Sequence, residues 1–251
     1  MGDAMTKITD ILGVEFDDVN REELSLAIRS QLIGSEFGYV VTPNPEIVRY
    51  SLNDDEYNKV LNGATFCVAD GVGIELAARM LNKSLQGRIP GIEVGENVLA
   101  QCASLSKSVY FLGGREGVAA EAAHKKETQY NGLKIAGHMH GYFSDAEEDK
   151  VIDAINESGA EVLFVCLGFP RQEKFISRNS GKLKNVKLAL ALGGSLDVYS
   201  GNVRRAPTWF IKHNIEWLWR GFGSFNHFKR ILKLPLFLLD VVKYKINKIN
   251  G

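Results

Sequence analysis

The chain has 251 residues, 45% of them hydrophobic and 24% charged, with 30 basic against 30 acidic side chains. It can form one large α/β domain, or one domain plus an appendage, and its composition is that of an ordinary soluble globular protein. No uncharged apolar run approaches the roughly 20 residues that span a bilayer, and Cys67, Cys102 and Cys166, scattered without CxxC or Cys/His spacing, suggest neither a disulfide framework nor a zinc site.

The opening MGDAMTKITDILGVEF lacks the basic-then-apolar layout of a signal peptide, so with the scattered cysteines a reducing cytoplasm is the expected setting. The first predicted strand is GYVVT, residues 38–42. It runs into TPNPE, where Pro43 and Pro45 restrict themselves and their predecessors. This segment reads as a rigid turn, with Thr42 or Asn44 capping the helix through EIVRY, or as a device that aims those two side chains at substrate hydroxyls. Glu46 is an ordinary first-turn helix residue.

The second strand, ATFCVAD (64–70), ends in Asp70. That carboxylate either caps the next helix, whose Ile74, Ala77, Ala78 and Leu81 keep the i, i+3, i+4, i+7 spacing, or serves as a general base. GRIPG (87–91) then sets Arg88 between glycines and a proline, as a phosphate-binding guanidinium or a surface arginine. SVYFLGG (108–114) leads into an Ala-rich helix. Strand, glycine turn and helix suit a phosphate site, although the GxGxxG spacing of a dinucleotide fingerprint is missing.

LKIAGHMHG (133–141) places His138 and His140 on one strand face; with no third ligand nearby they read as core or loop histidines. SDAEED and Gly159 bracket a helix carrying Val151, Ala154 and Ile155. EVLFVCLG (161–168) precedes a helix with Pro170 in its first turn, and VKLALALGG (186–194) precedes LDVYSG. Apolar strands alternating with helices predict an α/β fold, a mostly parallel sheet with helices on both faces. Ligands of such sheets bind beyond the carboxyl ends of the strands. Here those ends are Thr42/Asn44, Asp70, Gly113/Gly114, Gly168 and Gly193/Gly194, one rim of small and polar groups. No DxD motif is present to hold a divalent ion on a sugar-nucleotide diphosphate, which leaves phosphate charge to arginines and helix N-termini.

The tail is basic and aromatic. From Arg204 to Gly251 ten Lys/Arg stand against two acids, Glu216 and Asp240, and Trp209, Trp217 and Trp219 all fall there. Phe225, Phe228 and Leu232 lie at helical spacing, flanked by Lys229, Arg230 and Lys233. The tail reads as lying on an anionic membrane surface without crossing it, or as a basic helix docked on its own domain or on a second subunit. Nucleic acid is not the expected partner, because the basic charge is confined to a segment rich in Phe and Leu.

Eight collinear segments between about Leu12 and Arg230 resemble the WecG/TagA/CpsF family of bacterial glycosyltransferases: TPNPEIV, ADGVGI, GRIPG, FLGG, GYF, GFPRQEKF, GGSLDVYSG and RRAPTWF…IEWLWR. The resemblance implies a Rossmann-like core over residues 1–203 and a C-terminal appendage over 204–251 that helps complete the active site. It implies inverting, metal-independent transfer of an N-acetylmannosamine-type sugar from UDP to polyprenyl-diphosphate-linked N-acetylglucosamine. That reaction would take place at the cytoplasmic membrane face, in building a surface polymer such as teichoic acid, and would need no cofactor.

On the matching positions, the resemblance makes Asp70 the base and puts Thr42 and Asn44 beside the acceptor sugar and the reacting centre. Arg88 and Gln172 would join the same cleft, with Gly113, Gly114, Tyr142 and Asp197 on the UDP side. Arg220 matches an arginine that meets the diphosphate. Better-known members continue with EPxR and further arginines; this chain has GSFNHFKR, with His227 in place of an arginine and Arg230 retained. Two other classes fit parts of the sequence. One is an NAD-dependent nucleotide-sugar epimerase or dehydrogenase, with Tyr130/Lys134 or Tyr244/Lys248 as its YxxxK pair but no GxGxxG. The other is a membrane-docked nucleotide-sensing module in which Asp70 is only a helix cap.

Overall fold

The computed structural model describes residues 7–204, 207 and 233–250. An antiparallel hairpin comes first, β1 (Ile8–Ile11) and β2 (Val14–Asp17), with Ile11 opposite Val14. Leu12 and Gly13, at φ 54° and 83°, make the two-residue turn, the left-handed pair that matches strand twist in a tight hairpin. α1 (Arg21–Ile33) follows, opened by a capping box in which Asn20 accepts from Glu22 and Glu23 N–H while Glu23 reaches back to the Asn20 N–H. Neither element is among those expected from the sequence, although the NREE capping signature signals α1.

The remaining strands form one six-stranded parallel sheet in the order β4-β3-β8-β7-β5-β6. They are β3 (Gly38–Val41), β4 (Phe66–Cys67), β5 (Ser108–Gly113), β6 (Lys134–Met139), β7 (Val162–Cys166) and β8 (Leu188–Ala191). Helices α2 (Pro45–Ser51), α3 (Asp55–Asn62), α4 (Val72–Met80), α7 (Glu148–Glu157) and α8 (Arg171–Asn179) cover one face; α1, α5 (Gly91–Leu105), α6 (Val118–Gln129) and α9 (Ser195–Tyr199) cover the other. The strands are buried on both sides because successive residues serve opposite layers. Tyr110, Leu112, Leu163 and Val165 enter the first layer, and Val109, Phe111, Val162 and Phe164 the second. This is the α/β, Rossmann-like arrangement expected from the strand runs.

The strand predicted over 64–70 is shorter than expected. β4 ends at Cys67, yet Val68 and Asp70 still donate to the Val41 and Pro43 carbonyls, at 2.9 and 3.1 Å. Pro43 has no N–H to return a ladder bond, so pairing continues from one side only: the regular ladder stops while the chain keeps its direction. A last helix, α10 (Lys233–Asn250), packs on α2 and α4. Phe237 and Val241 are fully buried in the first layer, and Arg49 Nε meets Asp240 Oδ2 at 2.7 Å. Its outer face carries Leu236, Leu239, Val242 and Ile246. Among the described residues no helix is long and apolar enough to cross a membrane.

Candidate active site

The carboxyl ends of β5, β6, β7 and β8 open into a cleft of about 720 Å³. The chain leaves β5 toward one face, through α6, and β7 toward the other, through α8, which parts the two loops and makes the gap a ligand needs. Gly114, Tyr142, Gly168 and Asp197 line it, so three of the four residues expected on the nucleotide side stand in the cleft. Tyr142 is 70% exposed, a ring presented to solvent at the mouth. Gly113 sits just beneath. At φ 139°, a Cβ there would lie 2.4 Å from the Cys166 carbonyl oxygen, so only glycine lets β5 and β7 approach this closely under the cleft. We expect Gly113→Ala to destabilise the protein by roughly 3 kcal/mol, as read by chemical denaturation.

Two arginines of this cleft, Arg115 and Arg171, are not among the sequence candidates. Arg115 is exposed at its edge. Arg171 donates to the Gly141 and Phe143 carbonyls, at 2.7 and 2.6 Å, and stacks on the Phe143 ring at 4.3 Å, which fixes the wall after β6. It lies inside the PRQE segment, one position before the candidate Gln172. Gln172 itself is buried: its Oε1 accepts from the Gly168 N–H at 3.1 Å and its Nε2 donates to Glu173 at 2.8 Å. It meets the cleft through the turn it braces. Burial pushes the Cys166 thiol, on the cleft lining, up to about 12, so it is no thiolate nucleophile.

The other half of the rim joins three segments far apart in sequence. The Asp70 N–H donates to Pro43 O, and the Ile89 N–H to Ala69 O at 2.9 Å. A Cβ on Gly91 would lie 2.7 Å from Thr42 Oγ1, which places the Thr42 hydroxyl against the first turn of α5. A Cβ on Gly73 would lie 2.4 Å from Pro45 and 2.6 Å from Leu234, so ADGVG, TPNP and α10 close on one another. TPN, ADG and GRIPG therefore form one local structure.

The N-cap position of α4 is Gly71, at φ 97°, so Asp70 stands one residue before the cap. Asn44 does cap α2, accepting from the Glu46 and Ile47 N–H groups at 2.9 and 3.1 Å, which leaves its NH₂ as the group it can present. Arg88 is held by its backbone, N–H to Glu75 Oε1 at 3.0 Å. The strand order sets β4 and β3 next to β8 and β7, so Asp70 and Thr42 face the same rim as the cleft, at about 5 Å per strand step. Arg220, His227 and Arg230 lie outside the described residues, as do the three tryptophans.

The cleft and the TPN, ADG and GRIPG segments thus lie on one edge of the sheet. The pattern of the glycosyl transferase WecG/TagA/CpsF family matches residues 9–251. The chain belongs to this family. It is 36% identical over 222 residues to an N-acetylglucosaminyldiphosphoundecaprenol N-acetyl-beta-D-mannosaminyltransferase of Bacillus subtilis strain 168, covering 88% of this chain and 86% of the relative. A protein of the same name from Staphylococcus aureus strain MRSA252 is 33% identical over 242 residues, covering 96% and 94% of the two chains. The WecG/TagA/CpsF membership makes the chain a glycosyltransferase and leaves the dehydrogenase reading without support. Tyr130, one half of a YxxxK pair, donates its hydroxyl to Glu96 at 2.5 Å and stands at the C-terminal end of α6, whereas Val118 at the other end lines the cleft.

Proposed function

We propose that this chain transfers an N-acetylmannosamine-type sugar from a UDP donor to a polyprenyl-diphosphate-linked N-acetylglucosamine at the cytoplasmic face of the membrane. The observation that supports the reading is the shared rim: the Asp70–Thr42 segment and the cleft lie on the same edge of one parallel sheet, in a chain one third identical to N-acetylmannosaminyltransferases.

In the proposed reaction UDP occupies the cleft between Gly114, Gly168 and Asp197, with Arg115 at its edge. Asp70 takes the proton of the acceptor hydroxyl as that oxygen bonds to the anomeric carbon; the bond from that carbon to the UDP oxygen breaks, and the configuration inverts. Thr42 and Asn44 hold the acceptor sugar from the adjacent strand end. Charge gathering on the leaving diphosphate meets backbone N–H groups and arginines, Arg88 here and Arg220 and Arg230 from the tail. Neither step calls on a metal or another cofactor. The basic aromatic tail brings the enzyme to an anionic lipid surface, where the acceptor is found.

A panel of UDP-sugars incubated with a short-chain lipid-diphosphate-N-acetylglucosamine, followed by mass spectrometry, tests the whole reading. The expected product is the acceptor plus one N-acetylhexosamine, formed from UDP-N-acetylmannosamine and released with UDP. No UDP released from any donor in the presence of acceptor would end the transferase assignment for these substrates.

A further inference from the structure

The cleft rests on a buried acid that the proposed reaction does not use. Glu173, in α8, is 1% exposed, and it lies within the apolar layer beneath the sheet. Burying a lone carboxyl among apolar side chains is costly unless its oxygens are used. Oε1 is used, since it accepts from Gln172 Nε2 at 2.8 Å. The carboxyl also interacts with the hydroxyl of Tyr57, a fully buried residue of α3, and burial comes first among the causes that raise both groups above their ordinary values. Glu173 Oε2 and the Tyr57 hydroxyl are both buried with no partner at normal hydrogen-bond geometry among the described residues.

What lies at the other end of this chain of groups gives the acid a purpose. The Gln172 carboxamide has two orientations of nearly equal shape. With its NH₂ turned to Glu173, its oxygen points at the Gly168 N–H, 3.1 Å away. With the amide reversed, an N–H would confront an N–H and the turn would lose that bond. Gly168 lines the cleft at φ 77°. The same Gln172 oxygen also packs under the neighbouring turn: a Cβ on Gly193 would lie 3.1 Å from it and 3.4 Å from Gly168 Cα. One amide thus sets the spacing of the turns that end β7 and β8, between the cleft and the Thr42–Asp70 rim.

We propose that Glu173 is a positioning residue of the active site: its buried carboxyl sets the orientation of the Gln172 carboxamide and, through it, the Gly168 turn that floors the cleft. The inference rests on the nucleotide reading for what the turn serves, but not for the geometry. It separates Glu173 from a residue that merely fills space. A leucine fills the same space, and replacing a buried acid by a well-packed apolar group is often neutral or stabilising. Glutamine keeps an oxygen for Gln172 and offers an N–H toward Tyr57.

The test uses full-length E173L and E173Q with two readouts, hydrogen exchange of the Gly168 amide by NMR and UDP affinity by calorimetry. In E173L the Gly168 amide is expected to exchange about 10-fold faster and UDP to bind about 10-fold more weakly, the scale of one lost hydrogen bond. E173Q is expected to restore both. Wild-type exchange in E173L, or an E173Q as impaired as E173L, overturns the proposal. Should E173L fail to fold, E173D, which withdraws the acid by one methylene, is expected to show the same faster exchange, and wild-type exchange in it would also overturn the proposal. Faster Gly168 exchange in E173L, with UDP bound by neither wild type nor variant, would support the positioning role and remove the nucleotide reading instead.

Discussion

Asp70→Asn is expected to lower turnover by roughly 10²–10⁴-fold, the usual contribution of a positioned general base, while leaving UDP affinity and thermal stability near wild type. The separation follows from geometry. Asp70 follows β4, whereas the cleft lies at the ends of β5 to β8 on the far side of β3, so the substitution leaves the cleft lining unchanged. The segment is anchored by backbone bonds from the Asp70 and Ile89 N–H groups, which the substitution keeps. Single-turnover rates beside UDP calorimetry check this. Turnover within a few-fold of wild type would remove Asp70 from the role of base.

The second large effect concerns the C-terminal helix. Phe237→Ala is expected to destabilise the protein by about 3–5 kcal/mol, the cost of emptying a fully buried aromatic site. Deleting the chain after Val203 should be worse. It strips Phe237 and Val241 from the layer they share with Ile47 and Ile74, and removes Leu234 from behind Gly73 and Pro45 at the rim. Loss of activity on truncation is therefore expected as a folding effect and says little about the membrane.

The membrane reading is better tested on the outer face of α10. Leu239 and Ile246 are 56% and 50% exposed, so L239E/I246E is expected to cost no more than about 0.5 kcal/mol per site while weakening binding to anionic vesicles. Vesicle binding equal to wild type in that variant would place the lipid contact elsewhere in the tail. Urea denaturation and vesicle co-sedimentation provide the two measurements.

Several features are legible without coordinates. The near-continuous apolar runs of GYVVT, SVYFLGG and EVLFVCLG mark central parallel strands, because strands buried on both faces need apolar side chains at every position. The glycines after them mark a rim, because only glycine readily permits the positive φ found at Gly113 and Gly168 and the close approach to Cys166 found at Gly113. The hairpin over 8–17 escapes a sequence reading because its four-residue strands resemble any short alternating run. Arg171 escapes it because its bonds, to the Phe143 and Gly141 carbonyls, reach across 28 and 30 residues of chain.

The sequence by itself determined the α/β class, the rim of small and polar strand ends, and family membership through eight collinear motifs, since strand burial and tight turns leave local signatures. Only the tertiary structure decided which of those ends are neighbours. The order β4-β3-β8-β7-β5-β6 is a matter of crossover connections, which hydrophobic pattern does not encode, and it sets how many strands separate Thr42 and Asp70 from Gly168 on one sheet edge. Tertiary contacts also separated the roles within one motif: in GFPRQEKF, Arg171 builds a wall, Gln172 braces a turn, and Glu173 is buried beneath them. Successive residues on a helix point in different directions, and what each meets is set by strands and helices far along the chain.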